Sequence, residues 1–121
     1  MSLRTFVTSQ GGVTIIRFDG KITVGGGAQT LHETLKTVFG DGATKVLLDL
    51  GRVGELDSAG LGALFACYAT AKNTGATLKF LRLQTRLQRV MQVTKLDFLF
   101  ETFEDETAAL RSFSTANVKS A

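Results

Sequence analysis

The 121-residue chain contains no proline, one cysteine and one histidine. A lone Cys67 cannot close an internal disulfide, and one cysteine with one histidine cannot supply the paired ligands of a structural metal site. No apolar run approaches the roughly 18–20 residues that a membrane-spanning helix needs. The stretch Met1-Ser2-Leu3-Arg4-Thr5-Phe6 has no apolar signal-peptide core. These absences predict a cytoplasmic protein with no direct membrane binding. Lys and Arg total 14 against 11 Asp and Glu, a formal charge of +3. With no block of like charge, an obligate nucleic-acid binder is excluded. Nothing functional follows from the missing proline. What is present is ordinary: 44% hydrophobic and 21% charged residues, enough for one globular domain over residues 1–121 with its own core. The packed part is expected at about residues 3–113, with 114–121 a frayed polar tail.

Leu3 to Thr8 and Val13 to Asp19 alternate in the period of strands. Gln10-Gly11-Gly12 between them predicts an antiparallel hairpin. Leu31, Leu35, Val38 and Phe39 recur at helical spacing, and Gly40 ends that pattern. His32 beside Leu31 is expected in solvent. Val46 to Leu50 is a short apolar run with one carboxylate, Asp49, and reads as an interior strand buried on both faces. Gly51 and Gly54 punctuate the connection that follows. Ser58 to Asn73 is the next helix, closed by Gly75, with Cys67 a buried thiol. Thr77 to Leu83 is a strand. Thr85 to Thr94 is a helix with Thr85 and Gln88 placed as a capping box. Phe98 to Phe103 is an aromatic strand, and Asp105 to Phe113 a last helix with acids in its first turn. The order is β-β-α-β-α-β-α-β-α: an α/β domain with a mixed, mostly parallel sheet, an N-terminal hairpin and about four helices.

Chemistry is thin. Asp57 neighbours Ser58, but the sole histidine belongs to another helix. Leu56-Asp57-Ser58-Ala59-Gly60 also lacks the first glycine of a nucleophile elbow. Gly25-Gly26-Gly27 is not followed by the Lys-Ser/Thr of a phosphate loop. The chain therefore predicts no enzyme, no metal and no cofactor. Asp57-Ser58-Ala59-Gly60-Leu61-Gly62 stands out instead. Asp57 or Ser58 can cap the helix, while Gly60 and Gly62 each give up roughly 1 kcal/mol of helix propensity. Such a pair of glycines suggests close approach by another molecule beside Ser58. Arg82, Arg86 and Arg89 gather near the third helix as a candidate edge for an acidic partner.

The hexamer Asp57-Ser58-Ala59-Gly60-Leu61-Gly62, after an apolar strand and inside this element order, resembles the signature of STAS domains, in particular the bacterial anti-sigma factor antagonists. The resemblance extends over about residues 3 to 113. It implies the STAS fold and a phosphoacceptor at Ser58, with Asp57, Ala59, Gly60, Leu61 and Gly62 around it meeting the partner. A second loop beside the site, Lys21-Ile22-Thr23, carries Thr23 where relatives commonly have an acid. The implied partners are an anti-sigma factor with serine kinase activity, which would bring its own ATP, and a phosphoserine phosphatase. Two other readings of the same resemblance stay open: a phosphorylation-independent STAS scaffold of a signalling complex or lipid transporter, and a nucleotide-binding regulator using Gly25 to Gly27.

Overall fold

The computed structural model describes residues 3–93, 95 and 99–120. Its elements are β1 (Arg4–Gln10), β2 (Val13–Ile22), α1 (Gly27–Gly40), β3 (Lys45–Leu56), α2 (Ser58–Thr74), β4 (Thr77–Leu81), α3 (Thr85–Val93), β5 (Thr102–Phe103) and α4 (Glu106–Ser120). The order is the one the sequence predicts. The five strands form one sheet in the order β1-β2-β3-β4-β5. The first pair is antiparallel and the rest are parallel.

The hairpin turns on Gly11 and Gly12, at φ 59° and 82°. Positive φ at both central residues is the turn whose twist matches a two-residue hairpin, and glycine supplies it without strain. Alternation then sorts the strands between two cores. Ile16, Phe18 and Ile22 of β2, Val46, Leu48 and Leu50 of β3, and Leu78 and Phe80 of β4 face Leu31 and Leu35 of α1, Leu64, Cys67 and Ala71 of α2, and Leu87 and Met91 of α3. On the other face Val13, Ile15, Leu47 and Leu81 meet Ala109 and Phe113 of α4. Residues Val46 to Leu50 are all buried, as a strand covered on both faces requires.

Several boundaries differ from the sequence reading, each for a physical reason. The strand expected to end at Leu50 runs on to Leu56, pairing Arg52 with Asp19 and Leu56 with Ile22 across two register irregularities. Gly51 and Gly54 therefore lie within the strand. At Gly51 a Cβ would press on the Arg82 side chain at 2.8 Å, so the glycine marks a close approach within the strand. With the strand extended, Asp49 sits mid-strand and buried. It accepts from the Gly51 amide at 3.0 Å, Arg17 Nε at 3.2 Å and Arg82 Nη1 at 3.0 Å. The capping box does not form. Thr85 is already helical, and the Gln88 side chain donates to the Leu83 carbonyl at 2.6 Å. The aromatic strand contracts to Thr102–Phe103, because Phe100 turns inward to stack on Phe80 at 4.3 Å. Phe98 and Thr94 lie outside the described residues. Helix α4 runs on to Ser120, past the Phe113 at which the sequence reading ends it, and no glycine or proline interrupts it.

Candidate functional site

The site is built where β3 hands over to α2. Asp57 has extended backbone angles and is the N-cap of α2. Its Oδ1 accepts from the Gly60 amide at 2.9 Å and its Oδ2 from the Val24 amide at 3.0 Å. The Val24 amide and then the Gly60 amide hold the Asp57 carboxyl below its ordinary pKa, since both bonds favour the charged form. One carboxylate thus caps the helix and ties down the loop after β2. Ser58 is not the cap. It is the first helical residue, exposed, and its hydroxyl makes no hydrogen bond to another described residue.

The two glycines of the hexamer have different reasons. At Gly60 an added Cβ would run into the Ile22 carbonyl, so the molecule that approaches this glycine is the chain's own β2. At Gly62 nothing lies within 4 Å of a Cβ. Gly27 repeats the first case one residue earlier, against the Lys21 carbonyl. The triple glycine therefore closes α1 onto the end of β2, with Gly27 buried and only Gly25 and Gly26 open. The loop Lys21-Ile22-Thr23 does abut the start of α2. Ile22 is buried, Lys21 pairs with Glu55 at 3.5 Å, and the Thr23 carbonyl accepts from the Ala28 amide at 3.0 Å.

Beside Ser58 lies a groove of about 260 Å³ lined by Leu56, Asp57, Ser58, Leu61, Gln84, Arg86 and Leu87. Leu56, Leu61 and Leu87 give it an apolar lining, and Asp57, Ser58, Gln84 and Arg86 a polar one. Val24 adds an apolar surface next to it at 75% exposure. Of the three arginines expected to form one edge, only Arg86 lines this groove; Arg82 is drawn onto Asp49, and Arg89 is exposed farther along α3. Sequence reasoning missed Val24, Leu56, Gln84 and Leu87. The available signal was topological. Parallel neighbours β3 and β4 deliver the helices that follow them to the same end of the sheet, which puts the starts of α2 and α3 side by side.

Nothing else assembles a reactive constellation among the described residues, and no cluster of three metal-binding side chains occurs there. His32 is exposed on α1. Burial pushes the Cys67 thiol up to about 12, which leaves it no thiolate near neutral pH. Among the described residues no helix is long and apolar enough to cross a membrane.

A family model described as the STAS domain matches residues 6–109. The chain belongs to the STAS domain family. Among solved structures, an anti-sigma factor antagonist from Mycobacterium paratuberculosis is 25% identical with a TM-score of 0.79, covering 92% of this chain and 93% of that one. The phosphorylated form of the Bacillus cell fate determinant SpoIIAA is 17% identical with a TM-score of 0.70, over 90% and 99% of the two chains. A sulfate transporter family protein from Wolinella succinogenes is 22% identical with a TM-score of 0.73, over 93% and 92%. The last two likenesses are of fold. In this STAS domain the mixed sheet, the hairpin and the four helices are those the resemblance implied.

Proposed function

We propose that this STAS domain is an anti-sigma factor antagonist, a binding protein and not an enzyme. In this reading the unphosphorylated chain docks on an anti-sigma factor with serine kinase activity and so frees a sigma factor. The kinase, using its own ATP, phosphorylates Ser58 and ends the contact, and a phosphoserine phosphatase restores it. Asp57, Ala59, Leu61 and Gly62, with Lys21 and Thr23 beside them, make up the docking face together with the groove, while Gly60 and Ile22, both buried, pack beneath it and hold it in place.

The observation that carries this reading is the division of labour between Asp57 and Ser58. Asp57 does the capping, so the Ser58 hydroxyl is exposed and left without a hydrogen bond among the described residues. A phosphate there adds about −1.5 to −2 charges to a groove lined by Leu56, Leu61 and Leu87. A partner side chain that packed on those leucines then meets a charge it must desolvate. No refolding is needed.

The test is to incubate the protein with the kinase and ATP, map the phosphate by mass spectrometry, and titrate variants against the kinase. Ser58→Ala keeps binding and loses phosphorylation, and its stability stays within about 0.5 kcal/mol because the cap oxygen belongs to Asp57. Ser58→Glu binds at least about tenfold more weakly, some 1.4 kcal/mol. Phosphate on another residue, or equal affinity for wild type and Ser58→Glu, refutes the switch. The second reading, a scaffold subunit that works without phosphorylation, draws on Thr23 standing where relatives commonly have an acid; binding indifferent to Ser58→Glu favours it.

A further inference from the structure

Strand β1 is an edge left open. Among the described residues it pairs on one side only, with β2, through seven residues in unbroken register from Arg4↔Asp19 to Gln10↔Val13. Its outer side presents unpaired backbone donors and acceptors, and sheets usually blunt such an edge with proline, lysine, a bulge, shortness or a covering element. Arg-Thr-Phe-Val-Thr-Ser-Gln has none of these. Its one charge, Arg4, is already bonded to Asp19 at 2.8 Å. The opposite edge of the sheet, β5, is protected by being two residues long. The only described aromatic among the exposed large hydrophobic residues lies on β1: Phe6 is 51% exposed and its neighbour Val7 53%. Adjacent residues point to opposite faces, so both faces of the edge are apolar at its centre.

We propose that β1 pairs antiparallel with β1 of a second copy, with the two-fold axis at Val7, joining two five-stranded sheets into one. The strand is self-complementary in that register. Val7 meets Val7, Phe6 meets Thr8, Thr5 meets Ser9, and Arg4 meets Gln10. Aromatic–β-branched and hydroxyl–hydroxyl pairs are favourable across an antiparallel ladder. No like charges oppose each other. The surface is separate from the Ser58 groove and does not depend on the function proposed for it. A single seven-residue ladder falls short of the roughly 800 Å² per partner of a tight interface, so the dimer is weak and reversible.

Cys67 makes a clean test available, because its thiol is buried and, at about 12, un-ionised under assay conditions. Opposed Cα atoms in an antiparallel pair lie about 4.5–5.5 Å apart, within the reach of a disulfide. Val7→Cys therefore cross-links to itself under mild oxidation. Gln10→Cys, three residues from the axis and so about 20 Å from its copy, does not. Sedimentation velocity over roughly 1 µM to 1 mM wild-type protein shows a shift from monomer to dimer, and Val7→Lys, folded by circular dichroism, stays monomeric. A wild type that is monomeric throughout, a dimer that Val7→Lys leaves intact, or cross-linking at Gln10 equal to that at Val7 overturns the proposal. The intact dimer would mean that the copies meet on another face.

Discussion

Gly60 and Gly62 stand two residues apart in the same helical turn, yet alanine should have opposite effects at the two. In a helix, Gly→Ala is favourable by roughly 1 kcal/mol when the new methyl fits. At Gly62 it meets nothing within 4 Å, so Gly62→Ala should stabilise by about 0.4–1 kcal/mol. At Gly60 the methyl collides with the Ile22 carbonyl and comes within 3.0 Å of Ile22 Cγ2. Backbone meets backbone there, so no side-chain rotation relieves the contact. Either β2 or the start of α2 must move, and that movement strains the bond from the Val24 amide to Asp57. Overpacking of this kind costs about 1–3 kcal/mol and more where it is rigid, enough to cancel the propensity gain and leave a net loss. For a domain of this size each kcal/mol shifts the melting temperature by about 4 °C. Thermal and urea unfolding of the two variants, with unchanged m-values, measures the difference. Equal stability of Gly60→Ala and Gly62→Ala would refute the packing explanation and return Gly60 to a role in admitting another molecule.

Leu48→Ala, at a fully buried site in the larger core, should cost about 2–5 kcal/mol in urea unfolding. Asp49→Ala removes a shared partner from Arg17 and Arg82, though Arg17 keeps Glu106 at 2.6 Å; with those arginines 38% and 44% exposed, solvent screening should hold the loss below that of a fully buried pair, at about 1.5–3 kcal/mol in urea unfolding. The Asp57 carboxyl titrates below its unfolded value of about 3.9, so its contribution is complete above that pH and is lost as pH falls through the folded value. The stability gap between wild type and Asp57→Asn should accordingly stay level above about pH 5 and narrow in acid; a gap that opens only above neutral pH would contradict the assignment.

What the sequence could reveal was whatever depends on local period and turn chemistry. The hairpin at Gly11-Gly12, the apolar run at Val46 to Leu50 and the left-handed cap at Gly75 were all readable, because each is settled within a few residues. The extension of β3 to Leu56 was not. Its last six residues are in a strand because β2 reaches to Ile22 alongside them, and a pairing partner some thirty residues away leaves no mark in local composition. The same holds for Asp49, whose two arginines come from β2 and from the residue after β4. The hexamer pointed to the site, but it could not say which of Asp57 and Ser58 caps, nor that α3 supplies the far wall of the groove.

The triple glycine and the Asp57 to Gly62 hexamer look like two motifs, and physically they are one device. Gly27 and Gly60 close on the consecutive carbonyls of Lys21 and Ile22, while Asp57 reaches from one segment to the amide of Val24 in the other. The end of β2 is thus gripped by the first turns of both helices, and the loop between them is held against α2. Glycine at Gly25 to Gly27 then needs no phosphate to explain it. The consequence for function is that Val24, Ser58 and the groove are offered as one fixed surface. A partner binding there meets a face already assembled, so little ordering cost opposes association. In the proposed function a charge placed on Ser58 would act directly on that interface, where a loose loop could have carried it away.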